Sequence, residues 1–154
     1  MSTTYKKDKV IDPFAATFFS IDDSQSDLKF AHANASMFIY TKDGSTENGP
    51  EEPLLMILPL PFDKNSKPGD GADTMLASLK QKGYSNVKFV SSSSSKVNGY
   101  VAYEVVTTGT MKGKKVNLLV QTIIKGENQL ITFRNERIIG CELVCYLLFA
   151  AFFN

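Results

Sequence analysis

The one histidine of the chain, His32, stands between Ala31 and Ala33, and an imidazole is the side chain that most readily moves a proton near neutral pH. With a carboxylate or nucleophile within hydrogen-bond reach it would act as the base of a small hydrolase or ligand-transforming enzyme. No serine, cysteine or acid motif surrounds it, so a lone surface or structural histidine is the favoured reading. Cys141 and Cys145 are four residues apart, a spacing that places two thiols on one helix face. A zinc site needs about four ligands, and no CxxC or paired histidine supplies the others; the two cysteines read as apolar filling. Asp22-Asp23 and Glu51-Glu52 are adjacent pairs and read as solvated turns, because catalytic carboxylates must converge from defined positions. Gly69-Asp70-Gly71 has the outline of an anion-binding helix start, but the lysine and Ser/Thr of a phosphate loop are missing, and Asp70 and Asp73 would repel an anion. Helix capping is the better account of it. No catalytic residue, metal site or cofactor is expected.

Two polar clusters remain. Lys112, Lys114 and Lys115 gather at one predicted hairpin tip and, with Lys125 on a second loop, are the candidate binding residues, a small cationic patch; solubilising charge that blunts a hairpin end is the competing account. The run Ser91 to Ser95 offers hydroxyls for phosphorylation, and equally makes a polar edge strand or loop. A net charge of +1 lacks the strongly basic balance of a domain that binds phosphate backbones, so nucleic acid is not an expected partner. A protein is.

The elements that must position these residues are mostly strands. Tyr100 to Thr108, Val116 to Ile124 and Gln129 to Phe133 are rich in β-branched and aromatic residues, and they are separated by Met111-Lys112-Gly113-Lys114 and Lys125-Gly126-Glu127-Asn128, glycine-bearing turns. The middle run is apolar on both faces, since Val116, Leu118, Val120, Thr122 and Ile124 alternate with Asn117, Leu119, Gln121 and Ile123. It needs cover on both sides. Earlier strands are predicted at Phe14 to Ile21, around Leu28 to Ala33, at Ser36 to Tyr40 and at Leu54 to Leu58, with Pro59 and Pro61 forcing an exit or an edge position. A helix is predicted over 70–82, capped near Asp70, with Ala72, Met75, Leu76 and Leu79 on one face and Gly83 ending it. Val87 to Val90 then leads through the serine run into the meander.

At 154 residues, 43% hydrophobic and 21% charged, the chain suits one domain with a real core. The expected division is a flexible N-terminus at 1–9, a single α+β domain at 10–135 and an apolar segment at 136–154. MSTTYKKDKVIDPF has no apolar run of a signal peptide, which favours the cytoplasm if the chain is complete and the envelope or secretion if a signal has been removed. Ile138 to Phe153 is apolar except for Glu142, slightly short of the roughly 17–25 residues of a bilayer span. A buried terminal helix is favoured; a membrane anchor through 138–153 and an end encoded out of frame are the alternatives.

Phe19-Ser20-Ile21, the Leu76-to-Gly83 helix after a strand, Asn98-Gly99-Tyr100-Val101-Ala102-Tyr103-Glu104 opening a long hairpin, and Gln129-Leu130-Ile131-Thr132-Phe133 together resemble the PsbP-like superfamily, over roughly residues 14 to 135. That superfamily includes PsbP proteins, a Ran-binding import factor and DcrB-type envelope proteins. The resemblance implies an antiparallel sheet, here of five or six strands, with helices packed on its faces, and a non-catalytic role in binding or assembly. It supplies no binding residue, because the partners of such proteins differ. The apolar tail departs from the amphipathic terminal helix usual in them.

Overall fold

The β-branched and aromatic runs of the meander form long antiparallel strands, and tight glycine-bearing turns fix their register. The computed structural model of the chain describes residues 12, 14–15, 17–24, 26–34, 36–47, 52–137 and 150–153. In chain order the elements are β1 (Phe19–Asp22), β2 (Leu28–Asn34), β3 (Met37–Lys42), β4 (Leu54–Pro61), α1 (Asp70–Ser78), a 3-10 turn (Leu79–Lys82), β5 (Tyr84–Val97), β6 (Tyr100–Met111), β7 (Lys114–Lys125), β8 (Asn128–Arg137) and β9 (Ala150–Phe153). Seven strands form one sheet in the order β2-β3-β4-β8-β7-β6-β5, while β1 and β9 make a separate two-stranded ribbon. Every pairing is antiparallel.

The hairpin turns behave as their residues require. Asn98 and Gly99, and again Lys112 and Gly113, adopt positive φ, the paired left-handed geometry whose twist matches that of the flanking strands. Placing β7 centrally satisfies its two-sided character. Val116, Leu118 and Val120 pack under α1 in one apolar layer with Met56, Met75, Leu79 and Phe133. Ile123 enters a second layer on the opposite face, with Phe38, Leu55, Ile57 and Leu130.

The cover of that second face differs from expectation. It comes from the aromatic N-terminal segment, in which Phe19 is fully buried and Phe14 stacks on Phe38 at 4.8 Å between ring centroids. β1 carries β9 with it. Among the described residues the five or six strands expected are seven plus a ribbon, and the helices expected on the sheet faces reduce to α1 and its 3-10 turn on one face, because aromatic side chains from the segment around β1 fill the other. A helix over 136–154 does not describe the residues seen there: Glu136 and Arg137 finish β8, and Ala150–Phe153 is a strand held by β1. A short apolar run carries no periodicity that separates buried helix from buried strand. Residues 138–149, including Cys141 and Cys145, lie outside the described residues, as does the N-terminus at 1–9.

Smaller corrections have equally simple causes. β4 continues through Pro59 to Pro61 because β3 pairs only with Leu54–Ile57, so the prolines lie where the strand has β8 on one side alone. Gly69 is the helix N-cap and makes no side-chain cap. Asp70 instead accepts the Lys67 backbone N–H at 2.8 Å, which ties down the turn leading into the helix. Gly83 closes the 3-10 turn at φ 93°, as its residue type requires.

Candidate functional site

Two irregularities at the start of β5 shape the helical face. The register shifts between Ser85 and Lys88, and again between Phe89 and Ser91, and Asn86 takes a positive φ. Bulges of this kind bend a strand and increase its twist. Opposite the first of them lies Gly109, where a Cβ would stand 3.0 Å from Leu118 Cδ1 and 3.6 Å from Val87 Cγ2. A bare backbone is needed there for the sheet to curl.

The curl brings Tyr84, the first residue of β5, over β8. Its ring meets Phe133 edge-on at 5.9 Å between centroids, and its hydroxyl accepts a hydrogen bond from Asn135 Nδ2 at 2.7 Å. The Oδ1 of the same asparagine accepts the Leu54 backbone N–H at 2.8 Å. Burial pushes the Tyr84 phenol above its ordinary pKa, against the opposing effect of the Asn135 bond. The hydroxyl therefore stays protonated at neutral pH.

Between this bridge and the open half of the sheet lies a cavity of about 510 Å³, floored by Ile39, Met56 and Phe133 and walled by Met37, Met111 and Tyr84. A second cavity of about 500 Å³ continues along the same strands, with Leu58, Leu60 and Ile131 on the sheet side and Met75 and Thr74 on the helix. Leu54, Met56, Leu58 and Leu60 share one face of β4, so the two cavities follow one apolar stripe, and Lys82 borders both. Every methionine of the chain except Met1 lines one cavity or the other. A flexible, polarisable thioether adapts to the shape of what it touches.

The residues singled out from the sequence fall in different places. His32 is exposed on the edge strand β2 and borders the first cavity together with exposed Glu52, but among the described residues it makes no hydrogen bond or ion pair with an acid or nucleophile. Lys112, Lys114 and Lys115 do gather at the β6–β7 tip. Lys125 does not join them: Lys114 and Lys125 are the first and last residues of β7, on the order of 35 Å apart at a strand's rise per residue, and the Lys125 ammonium lies 5.7 Å from the centre of the Tyr100 ring. Ser91 to Ser95 lies exposed in the edge strand β5. Asp22 accepts hydrogen bonds from Ser24, which hold its carboxyl below the usual range, as a turn residue does. Among the described residues no group of three or more His, Cys, Asp or Glu side chains could hold a metal ion, and no helix is long and apolar enough to cross a membrane.

Among the described residues the elements define a mostly β module, a curled seven-stranded antiparallel sheet with a cleft on the face that carries α1. No family model and no curated protein matches the sequence. Solved structures do match. LpqN of Mycobacterium tuberculosis, described as involved in cell envelope biogenesis, shares the fold with a TM-score of 0.54 at 12% identity, over 77% of this chain and 72% of LpqN. A Pseudomonas aeruginosa protein of unknown function matches with a TM-score of 0.47 at 17% identity, over 70% and 72% of the two chains. The cyanobacterial PsbP of Synechocystis matches with a TM-score of 0.44 at 7% identity, over 84% and 86%. LpqN thus stands among the chains of similar fold.

Proposed function

We propose that the chain is a non-catalytic binding or assembly module of PsbP-like type that holds the apolar part of a partner in the cleft of its helical face. The observation that carries this reading is the gathering of Met37, Met56, Met75 and Met111 around two adjoining cavities. Ligand sites are concave and mostly apolar with a few placed polar groups, and the Tyr84–Asn135 pair supplies such groups. LpqN, with a related fold, is involved in cell envelope biogenesis, which supports an assembly role over a metabolic one. In this reading the lysines of the β6–β7 tip are the contact for an acidic protein partner, and His32 is a rim residue.

Titration of the intact chain with an uncharged, polarity-sensitive fluorescent dye such as Nile red tests the cleft. Saturable binding is expected, weakened by Ile39→Lys on the cleft floor with the melting transition retained. Absence of saturable binding by the folded chain would defeat the proposal. Pull-downs with Lys112, Lys114 and Lys115 changed to alanine address the tip separately, and unchanged partner recovery removes it from the reading.

A further inference from the structure

We infer that the cavity beside Tyr84 takes a single-chain amphiphile with a carboxylate head, the head held by Tyr84, Asn135 and Lys82 and the chain lying on the methionine-lined floor. This rests on the cleft being a ligand site, as proposed above, and adds the chemistry of the ligand.

The polar groups of the cavity are matched to acceptors. Asn135 Oδ1 accepts from the Leu54 backbone, and a backbone N–H can only donate, so the orientation of the amide is fixed and its nitrogen is the atom facing Tyr84. Since Nδ2 donates to the Tyr84 oxygen, the hydroxyl hydrogen must go elsewhere. No acceptor for it occurs among the described residues, although Tyr84 is only 6% exposed. Asn135, 5% exposed, has a second amide hydrogen in the same position. A buried donor left without an acceptor is costly, and both residues line the cavity. That open volume is where the missing acceptor belongs.

Lys82 adds a positive charge two residues before Tyr84. It borders the same cavity and, apart from a 4.0 Å approach of its ammonium to Met75 Sδ, has no partner among the described residues. A phenol O–H, an amide N–H and an ammonium group are all donors, and the head that satisfies them together offers only acceptors and a negative charge. A carboxylate does so; an alcohol carries a surplus donor, and a cationic head is repelled. Beyond these three residues the wall is apolar at Met37, Ile39, Met56 and Phe133, which suits an alkyl chain. The other ionisable groups on the cavity are exposed His32 and exposed Glu52, and Glu52 opposes an anion.

Calorimetric titration of the intact chain with decanoate, 1-decanol and decyltrimethylammonium, each below its aggregation limit, tests the inference. Decanoate is expected to bind one per chain and about tenfold or more tighter than 1-decanol, the worth of a hydrogen bond to a charged group, with the cation weakest. Tyr84→Phe and Lys82→Gln should each bring decanoate binding down toward that of 1-decanol measured on the same variant, and Glu52→Gln should strengthen decanoate binding. If Tyr84→Phe fails to fold, Lys82→Gln at its exposed position carries the comparison. Equal binding of all three probes, or a preference for decanoate untouched by either variant, overturns the head-group assignment and leaves the cleft in place. Binding of none of them overturns the cleft reading as well.

Discussion

Asn135 on β8 and Tyr84 on β5 are joined amide to phenol at 2.7 Å, although β7 and β6 lie between their strands in the sheet. A flat sheet would hold β5 and β8 roughly 14 Å apart, farther than these side chains span, so the bond records the curl that makes the cleft. Asn135→Ala removes that bond and strands the Leu54 N–H. A loss of about 2–3 kcal/mol is expected in urea denaturation, and a loss below about 0.5 kcal/mol would show that the bridge does not hold the curl.

Gly109 separates two opposing principles. Strand propensity alone says that Gly109→Val stabilises β6, whereas the 3.0 Å approach to Leu118 Cδ1 says that the added side chain overfills the concave side. Overpacking of this kind costs about 1–3 kcal/mol. Thermal denaturation of the variant decides the sign, and a gain in melting temperature would mean that the bend yields easily.

Alkaline pH should unfold the chain through its buried phenols. Burial raises Tyr40, helped by the charge of Asp23, and burial raises Tyr84. The unfolded chain releases these protons near pH 10 while the folded chain still holds them, so stability is unaffected below that pH and falls as pH rises above it. Each group contributes up to about 1.4 kcal/mol per pH unit in that window. Urea midpoints between pH 8 and pH 11 should show this fall, and Tyr40→Phe should flatten it; an equally steep fall in the variant would assign it to other groups.

His32→Ala should be silent in folding, within about 0.5 kcal/mol, because the imidazole is exposed and has no polar partner among the described residues. A larger loss in chemical denaturation would mean that the rim of the cleft depends on it.

Phe19→Ala should be severe. The ring is fully buried and touches Phe14, Phe18 and Phe38 edge-on, so truncation removes the centre of the aromatic cover at a cost of about 3–5 kcal/mol. A mild effect in urea denaturation would show that the N-terminal segment rests on the sheet without stabilising it.

The meander was legible because each of its features is local: β-branched runs, and turns whose Asn-Gly and Lys-Gly pairs demand positive φ. The helix over 70–82 was legible from Ala72, Met75, Leu76 and Leu79 on one side and Gly83 at its end. The cleft was not. Met37, Met56, Met75 and Met111 are scattered in sequence and meet only when β4 lies beside β8 and the start of β5 curls back, a relation set by long-range register. Tyr84 and Asn135 look like ordinary strand residues until that curl joins them. The two bulges gave no composition signal beyond Asn86 and Gly109, and the strand at Ala150–Phe153 offered an apolar run that suits helix or strand alike.

The pairing of Phe19 with Phe153 and of Asp22 with Ala150 ties together elements from opposite ends of the described chain. Such a contact closes a loop that takes in the whole seven-stranded sheet, and its entropy is recovered only once that body gives Phe19 a surface to bury against. The ribbon is accordingly expected to form last during folding. In the native protein it should be the first to open, and amide hydrogens shared by β1 and β9 are expected to exchange with solvent well ahead of those in β6, β7 and β8, which a hydrogen-exchange measurement checks.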